Sequence, residues 1–165
     1  MTKRELKESL KDAVDEPNGV KKGKKFEIFF ENYMAQQEGF QYLKRHCRSK
    51  VGELDYFYRI TLSGHPLWKL YPYLFIECKN WKEPISSEKM DHFIRLVKAK
   101  TPFSCCGIYI TTSHFSPEAM TTMRDSRIKD SVFILPIDLK DITDLIENGF
   151  KVSIQEKCDK VLARA

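Results

Sequence analysis

Apolar residues recur at intervals of three and four in several parts of the chain, a spacing that places them on one face of a helix. The segment that begins at Phe26 shows this clearly, with Phe29, Phe30 and Tyr33 on the same face. Serine precedes two of the helical segments and glycine follows two others, as capping residues do. The predicted helices cover residues 3–14, Phe26 to near Gly39, Ser86 or Ser87 to about Lys100, Ser116 onward, and residues 137–148.

Shorter segments between these helices are rich in β-branched and aromatic residues, which are typical of strands. Leu74, Phe75 and Ile76 form the apolar centre of one such segment. Residues 63–66 have the composition of a turn. The predicted strands cover residues 40–47, 52–62, 71–79, 105–112 and 132–135.

The order of the elements indicates a fold class. Three consecutive strands fit an antiparallel meander, whereas the later strands are joined through helices and fit parallel crossovers. We therefore expect an α/β (α+β) fold with a mixed central sheet flanked by helices. Residues 1–21 are interpreted as a loosely packed N-terminal helical extension, residues 22–150 as one domain, and residues 151–165 as a C-terminal tail.

Composition adds little to this picture. The 165 residues carry a net charge of +5, which leans only weakly towards a polyanionic partner. No apolar run follows Met1, and no stretch is long enough to cross a membrane, so we expect a cytoplasmic protein without a membrane partner. The five cysteines lack the spacing of a zinc site and fit buried thiols in a reducing compartment.

The third predicted strand ends in two charged residues. Because side chains alternate between the faces of a strand, Glu77 and Lys79 point the same way. An acid and a base at the end of an apolar strand cost desolvation energy unless something compensates them. A bound cation together with a substrate phosphate would compensate both groups.

Asp55 is the second candidate carboxylate. It lies at the start of the neighbouring strand, and a hairpin would place it beside Glu77. A hard divalent cation such as Mg²⁺ prefers oxygen ligands and would remove the repulsion between the two carboxylates. A water molecule made acidic by the metal is a competent nucleophile, and Lys79 would orient it or offset charge on the phosphate.

An acid-x-Lys triplet alone has little meaning in a chain with 23 acidic residues. The triplets that begin at Glu5 and Asp138 lie in predicted helices and are dismissed for that reason. Three features of context distinguish the triplet that begins at Glu77. It lies on a strand, an aspartate opens the preceding strand, and a helix that carries glutamate precedes both.

Taken together, these residues resemble the PD-(D/E)xK nuclease superfamily, and within it the catalytic domains of Mrr-like restriction endonucleases. The resemblance rests on Phe26 and Glu27 in an amphipathic helix, the sequence Gly-Glu-Leu-Asp at 52–55, and Ile-Glu-Cys-Lys-Asn-Trp at 76–81. Residues 107–116, followed by Ala119, are also similar to the strand, loop and helix that follow the family's active site. The resemblance as a whole covers about residues 22–148.

The resemblance implies a restriction-endonuclease-like αβββαβ core and hydrolysis of DNA phosphodiester bonds with Mg²⁺, for which Mn²⁺ is a possible substitute. It implies that Asp55 and Glu77 are metal ligands, with the backbone carbonyl of Cys78 as a third. It also implies that Lys79 is the catalytic lysine. Leu54 stands where the name of the superfamily has proline.

Glu27 corresponds to the acid of the family's first helix, which implies a catalytic role close to the metal. Glu31 lies one helical turn later on the same face and is a rival for that role.

Several further residues are candidates for nucleic-acid binding. Trp81 follows the lysine and could stack on a base, although packing over the end of the sheet is an alternative. A basic group that directly precedes Asp55 could contact phosphates, which would make binding depend on salt. Its members are Lys44, Arg45, Arg48 and Lys50.

The sequence leaves three functions open. The first is a restriction-type DNA endonuclease, acting as a homodimer or with a recognition subunit. The second is a structure-specific nuclease like the Holliday-junction resolvases, which share this core. The third is a non-catalytic nucleic-acid-binding module with the same fold. Cleavage of RNA instead of DNA is a further alternative.

Overall fold

The structure is a computed structural model that describes residues 1–100, 105–130 and 132–163. Its elements follow the predicted order, with two additional helices. The helices are α1 (Lys3–Asp15), α2 (Gly19–Met34), α3 (Pro66–Leu70), α4 (Ser87–Lys98), α5 (Pro117–Asp130), α6 (Leu139–Asn148) and α7 (Phe150–Ala163). The strands are β1 (Phe40–Arg48), β2 (Glu53–Ile60), β3 (Tyr73–Lys79), β4 (Cys105–Thr111) and β5 (Val132–Ile137).

The strands form one five-stranded sheet in the order β1-β2-β3-β4-β5. Strands β1, β2 and β3 are antiparallel neighbours, whereas β3, β4 and β5 are parallel. Helices α4 and α5 form the two crossovers between the parallel strands. This arrangement confirms the predicted α/β (α+β) class with a mixed central sheet flanked by helices.

Alternation along β3 divides the core between the two faces of the sheet. Leu74 and Ile76 pack with the aromatic face of α2, while Phe75 packs with α4 and α5 on the other side. Since side chains two positions apart share a face, Glu77 and Lys79 lie on the same face as Phe75. None of the described helices combines the length and apolar character that a membrane span requires.

Two predicted boundaries need correction. Helix α2 begins at Gly19, because the Asn18 side chain accepts a hydrogen bond of 3.0 Å from the Lys21 backbone N–H as an N-cap. The helix ends at Met34, and Gly39, with φ of +84°, makes the turn into β1.

The predicted turn at residues 63–66 leads into a helix that the sequence interpretation missed. The His65 side chain accepts a hydrogen bond from the Leu67 backbone N–H, and Pro66 occupies the first turn of α3. Both signals of a helix start, the capping histidine and the proline after it, were therefore present in the sequence.

Both terminal segments pack against the central domain. Helix α1 was predicted, but Leu6 and Ala13 are buried in the main core, so its packing is not loose. The segment predicted as a C-terminal tail is helical. Helix α7 begins directly after Gly149 and buries Phe150 and Ile154 in the same core.

Candidate active site

Strands β2 and β3 separate at one end of the sheet. Their pairing runs from Arg59 and Tyr73 to Tyr56 and Ile76. Beyond this point, Asp55 Oδ2 accepts a hydrogen bond of 2.7 Å from the Cys78 backbone N–H. A side chain therefore replaces the backbone ladder at this fork, which fixes the Asp55 carboxylate beside β3.

Lys79 brings the predicted carboxylates together. Its Nζ lies 3.8 Å from Asp55 Oδ2 and forms an ion pair with Glu77 Oε1. The side chains of Lys79, Asp55 and Glu77 are 24%, 14% and 11% exposed. Two carboxylates and one ammonium group thus share a partly dehydrated site in which charge interactions are strong.

Burial is the largest influence on the pKa values of the two acids in this site. Burial and the neighbouring Asp55 charge raise the pKa of Glu77 to about 7, although Lys79 opposes the shift. Burial also raises the pKa of Asp55, against the attraction of Lys79 and the Cys78 N–H. Burial lowers the pKa of Lys79, but the attraction of Glu77 and Asp55 outweighs it, so the pKa lies above its usual value. Lys79 is therefore charged at neutral pH.

The site has the donor chemistry that a divalent cation requires. Glu77 Oε2 is buried and lacks a hydrogen-bond partner among the described residues, and an unpaired buried oxygen is costly unless it has a ligand. No group of three His, Cys, Asp or Glu side chains in the described residues is arranged to hold a metal by itself. Mg²⁺ needs only one or two carboxylates because it keeps several waters. Asp55 and Glu77 therefore fit Mg²⁺, and the Cys78 carbonyl stays a predicted third ligand.

Both glutamates of α2 bind Arg45. Its guanidinium lies 2.7 Å from Glu27 Oε2 and 3.0 Å from Glu31 Oε1. Besides burial, the nearby charge of Glu27 raises the pKa of Asp55. The choice between Glu27 and Glu31 for the role of the first-helix acid stays a prediction. A contact of Arg45 with nucleic acid would require these ion pairs to open.

The other predicted phosphate-binding residues lie on β1 and the following hairpin. Lys44, Arg48 and Lys50 are exposed. Arg48 Nε forms an ion pair of 2.7 Å with Glu53. Their role in nucleic-acid binding stays a prediction.

A cavity of about 280 Å³ opens beside Glu77 and Lys79. Its walls include residues that the sequence interpretation did not single out as site residues: Lys89, His92 and Tyr109. Tyr109 pairs with Glu77 in the parallel register of β3 and β4. Lys89 and His92 lie three positions apart on α4, a spacing that indicates a common helix face. That face could have been recognised from the sequence only if α4 had been placed against β3.

Trp81 is part of the wall of this cavity. The Lys89 ammonium lies 3.9 Å from the centre of the Trp81 ring, and the Lys79 ammonium lies 5.9 Å from it. Both cations are within the range of cation–π attraction. Trp81 is 36% exposed, and its role in nucleic-acid binding stays a prediction.

Comparisons with solved structures give distant likenesses. The MspJI restriction endonuclease in complex with a 27-mer oligonucleotide is 18% identical with a TM-score of 0.48, over 85% of this chain and 30% of that one. A repair endonuclease from Pyrococcus abyssi is 16% identical with a TM-score of 0.40, over 67% of this chain and 44% of that one. SfsA from Pyrococcus furiosus, in complex with Ca²⁺, is 17% identical with a TM-score of 0.38, over 70% of this chain and 55% of that one.

The chain spans only 30% to 55% of the length of these three proteins. A comparison with curated proteins finds no match. In contrast, the model of the restriction endonuclease family built on the Mrr catalytic domain matches residues 21–147. Because this match covers well over half of the sequence, the chain belongs to this restriction endonuclease family.

Proposed function

We propose that the protein is a divalent-metal-dependent endonuclease that hydrolyses DNA phosphodiester bonds at the fork between β2 and β3. One observation carries this proposal. Asp55 and Glu77, from adjacent strands, converge on Lys79 Nζ, and Glu77 Oε2 is buried with no hydrogen-bond partner in the described part of the chain. The match to the restriction endonuclease family supports the reaction class.

In the proposed site, Asp55 and Glu77 hold Mg²⁺, or Mn²⁺ in its place. When bound, the metal supplies an acidified water and neutralises negative charge on the phosphate. The Cys78 N–H keeps the Asp55 carboxylate in position throughout. The Lys79 ammonium stays protonated beside both acids, where it offsets the charge that grows on the phosphate oxygens. Glu27 adds negative charge near Asp55 and thereby strengthens the attraction for a cation.

Supercoiled plasmid should be cut by the purified protein at low salt when Mg²⁺ or Mn²⁺ is present, and left intact when EDTA replaces the metal. The reason is that both metal ligands are carboxylates, which attract a hard cation and repel a bare phosphate. Gel electrophoresis of the plasmid forms gives the measurement. No cleavage with either metal, on plasmid, duplex or four-way junction DNA, would contradict the proposal and favour a non-catalytic binding module.

The products of the same assay report on assembly. One site cuts one strand, so a first-formed nicked circle indicates a single copy acting alone. Linear product that appears without a nicked intermediate indicates two copies acting together. RNA of matched sequence is the comparison that tests the choice of DNA.

Affinity for the metal should rise by roughly tenfold between about pH 6 and about pH 8. Glu77, with a pKa of about 7, is mostly protonated at the lower pH and must lose its proton to bind a cation. Calorimetric titration with Mg²⁺ in two buffers of different ionisation enthalpy measures both the affinity and the released proton. A Glu77→Gln variant, in which only the Asp55 carboxyl can release a proton, should show a weaker pH dependence. A metal affinity of the parent protein that stays constant over this pH range would contradict the proposed role of Glu77 as a metal ligand.

A further inference from the structure

A second, larger groove of about 770 Å³ lies on the other side of Trp81. It is formed where the parallel strands β3, β4 and β5 end and their connections leave the sheet. In α/β sheets, the loops at the carboxyl ends of parallel strands converge and commonly bind ligands there. The groove is within the size range of small-ligand sites, which is roughly 300–1,000 Å³.

The walls of the groove combine positive charge with apolar surface. Lys82 follows β3, and Lys140 lies in the first turn of α6. Neither lysine has an ion-pair partner in the part of the chain that the structure describes. The carboxylate in the lining, Asp138, is occupied as the N-cap of α6, where it accepts a hydrogen bond of 3.0 Å from the Asp141 N–H. The apolar surface comes from Val14, Leu139 and Trp81.

Hydrogen bonds join the walls to each other. The buried Asn80 amide donates to the backbone carbonyl oxygens of Ala13, at 2.8 Å, and Lys22, at 3.0 Å. Its Oδ1 accepts a hydrogen bond of 2.6 Å from Thr112 Oγ1. Ser113 Oγ donates to the Lys82 carbonyl oxygen at 3.1 Å. The groove is therefore held open before any ligand binds, which lowers the entropy cost of binding.

Trp81 connects the groove to the catalytic cavity, since it lines both. A DNA strand that leaves the phosphate position beside Glu77 and Lys79 therefore meets the indole first and the two lysines next. Bases stack well on exposed aromatic rings, and lysines bind the phosphates that follow.

We propose that this groove binds unpaired nucleotides of the cleaved strand next to the cut, so that the preferred substrate is DNA with a single-stranded or splayed segment there. The inference rests on the proposed nuclease function. A base within a duplex is stacked on its neighbours, so it must leave the helix before it can stack on a protein side chain. A nucleotide that is already unpaired avoids this cost and fits a groove of this size.

The test is a binding titration in EDTA, where no cleavage occurs. Fluorescence anisotropy compares a forked DNA with a blunt duplex of the same sequence. Trp81→Ala should weaken binding of the fork about tenfold, the effect of losing one stacked base, and change binding of the duplex less than about twofold. Trp81→Phe keeps an aromatic ring and should retain most of the affinity for the fork. Leu70→Ala, which removes an exposed apolar side chain elsewhere, is the matched control.

The lysines have a separate readout. For the fork, Lys82→Ala combined with Lys140→Ala should reduce the steepness of log affinity against log salt by about 1.4, since each contact with a single-stranded phosphate contributes about 0.7. Lys69→Ala, a basic residue on α3 outside the groove, should leave the slope unchanged.

Two outcomes overturn the proposal. One is an equal loss of affinity for fork and duplex in Trp81→Ala, and the other is no loss for either. Because binding is measured without cleavage, the two proposals fail separately. The protein could prefer forked DNA through Trp81 and yet cut no DNA. That result would support the proposed nucleotide-binding groove and contradict the proposed nuclease function.

Discussion

Replacing Glu77 with glutamine should lower the rate of DNA cleavage by at least about a thousandfold, equivalent to about 4 kcal/mol of transition-state stabilisation. Glutamine has the same shape as glutamate but no charge, so the site loses one of its two proposed metal ligands while the fold is preserved. Cleavage of a labelled duplex under single-turnover conditions with Mg²⁺ measures the loss. We select this change because Glu77 is the most deeply buried member of the site.

The same substitution should make the metal-free protein more stable at about pH 8. The pKa of Glu77 is raised to about 7 in the folded protein from its ordinary value of 4.5. Between these two values the folded state holds a proton that the unfolded state releases, so stability falls as pH rises through this window. Above about pH 7 the cost of the buried charge is complete and is on the order of 3 kcal/mol. Glutamine avoids this cost.

Opposite signs for activity and stability separate this prediction from simple misfolding, in which both would fall. Thermal unfolding in EDTA at about pH 4 and about pH 8 supplies the stability measurement. The two proteins should differ at the higher pH and converge at the lower one. Glu38→Gln, at an exposed glutamate in the turn before β1, is the control and should change neither property. Full cleavage by Glu77→Gln would show that the active site lies elsewhere.

The part of the site that the sequence predicted is local. Strand periodicity alone places Phe75, Glu77 and Lys79 on one face of β3, and the hairpin order brings Asp55 to the neighbouring strand. No long-range information is needed for either step. The parallel part of the sheet follows in the same way, since the long helices α4 and α5 cross over between parallel neighbours, whereas the short helix α3 joins two antiparallel strands.

The parts that the sequence did not predict depend on contacts between distant segments. Arg45 is basic and precedes Asp55, so it was assigned to phosphate binding, yet α2 supplies two glutamates that bind it. The groove beyond Trp81 arises only when loops from three strand ends meet. Neither property is visible in the spacing of residues along the chain.

Helix α7 was missed because its local signal is weak. Gly149 indicates a helix stop, and the buried positions Phe150, Ile154 and Cys158 form a narrow stripe among polar residues. These residues of α7 are buried by contacts with distant parts of the chain. The Phe150 ring lies 4.8 Å from the Phe40 ring and 6.2 Å from the Tyr33 ring, centre to centre. The segment is therefore held by aromatic side chains that lie more than a hundred positions earlier.

Replacing Ile154 with alanine should lower the free energy of unfolding by about 2–5 kcal/mol, the usual cost of a cavity left by a buried isoleucine. Ile154 is fully buried in the core that α7 shares with α2 and the sheet. Domains of this size are stable by about 5–15 kcal/mol, so the change removes a large part of the total. Urea unfolding followed by circular dichroism gives the measurement.

Val152 lies two positions away on the same helix and is 46% exposed, so Val152→Ala should change stability by less than about 0.5 kcal/mol. The comparison holds helix, residue type and chain position nearly constant and varies only burial. Equal, small effects of Ile154→Ala and Val152→Ala would mean that residues 150–163 do not pack against the domain, as the tail interpretation requires. A large effect at position 154 alone means that the hydrophobic core extends through α7, and that removing this helix would expose Tyr33 and Phe40 to water.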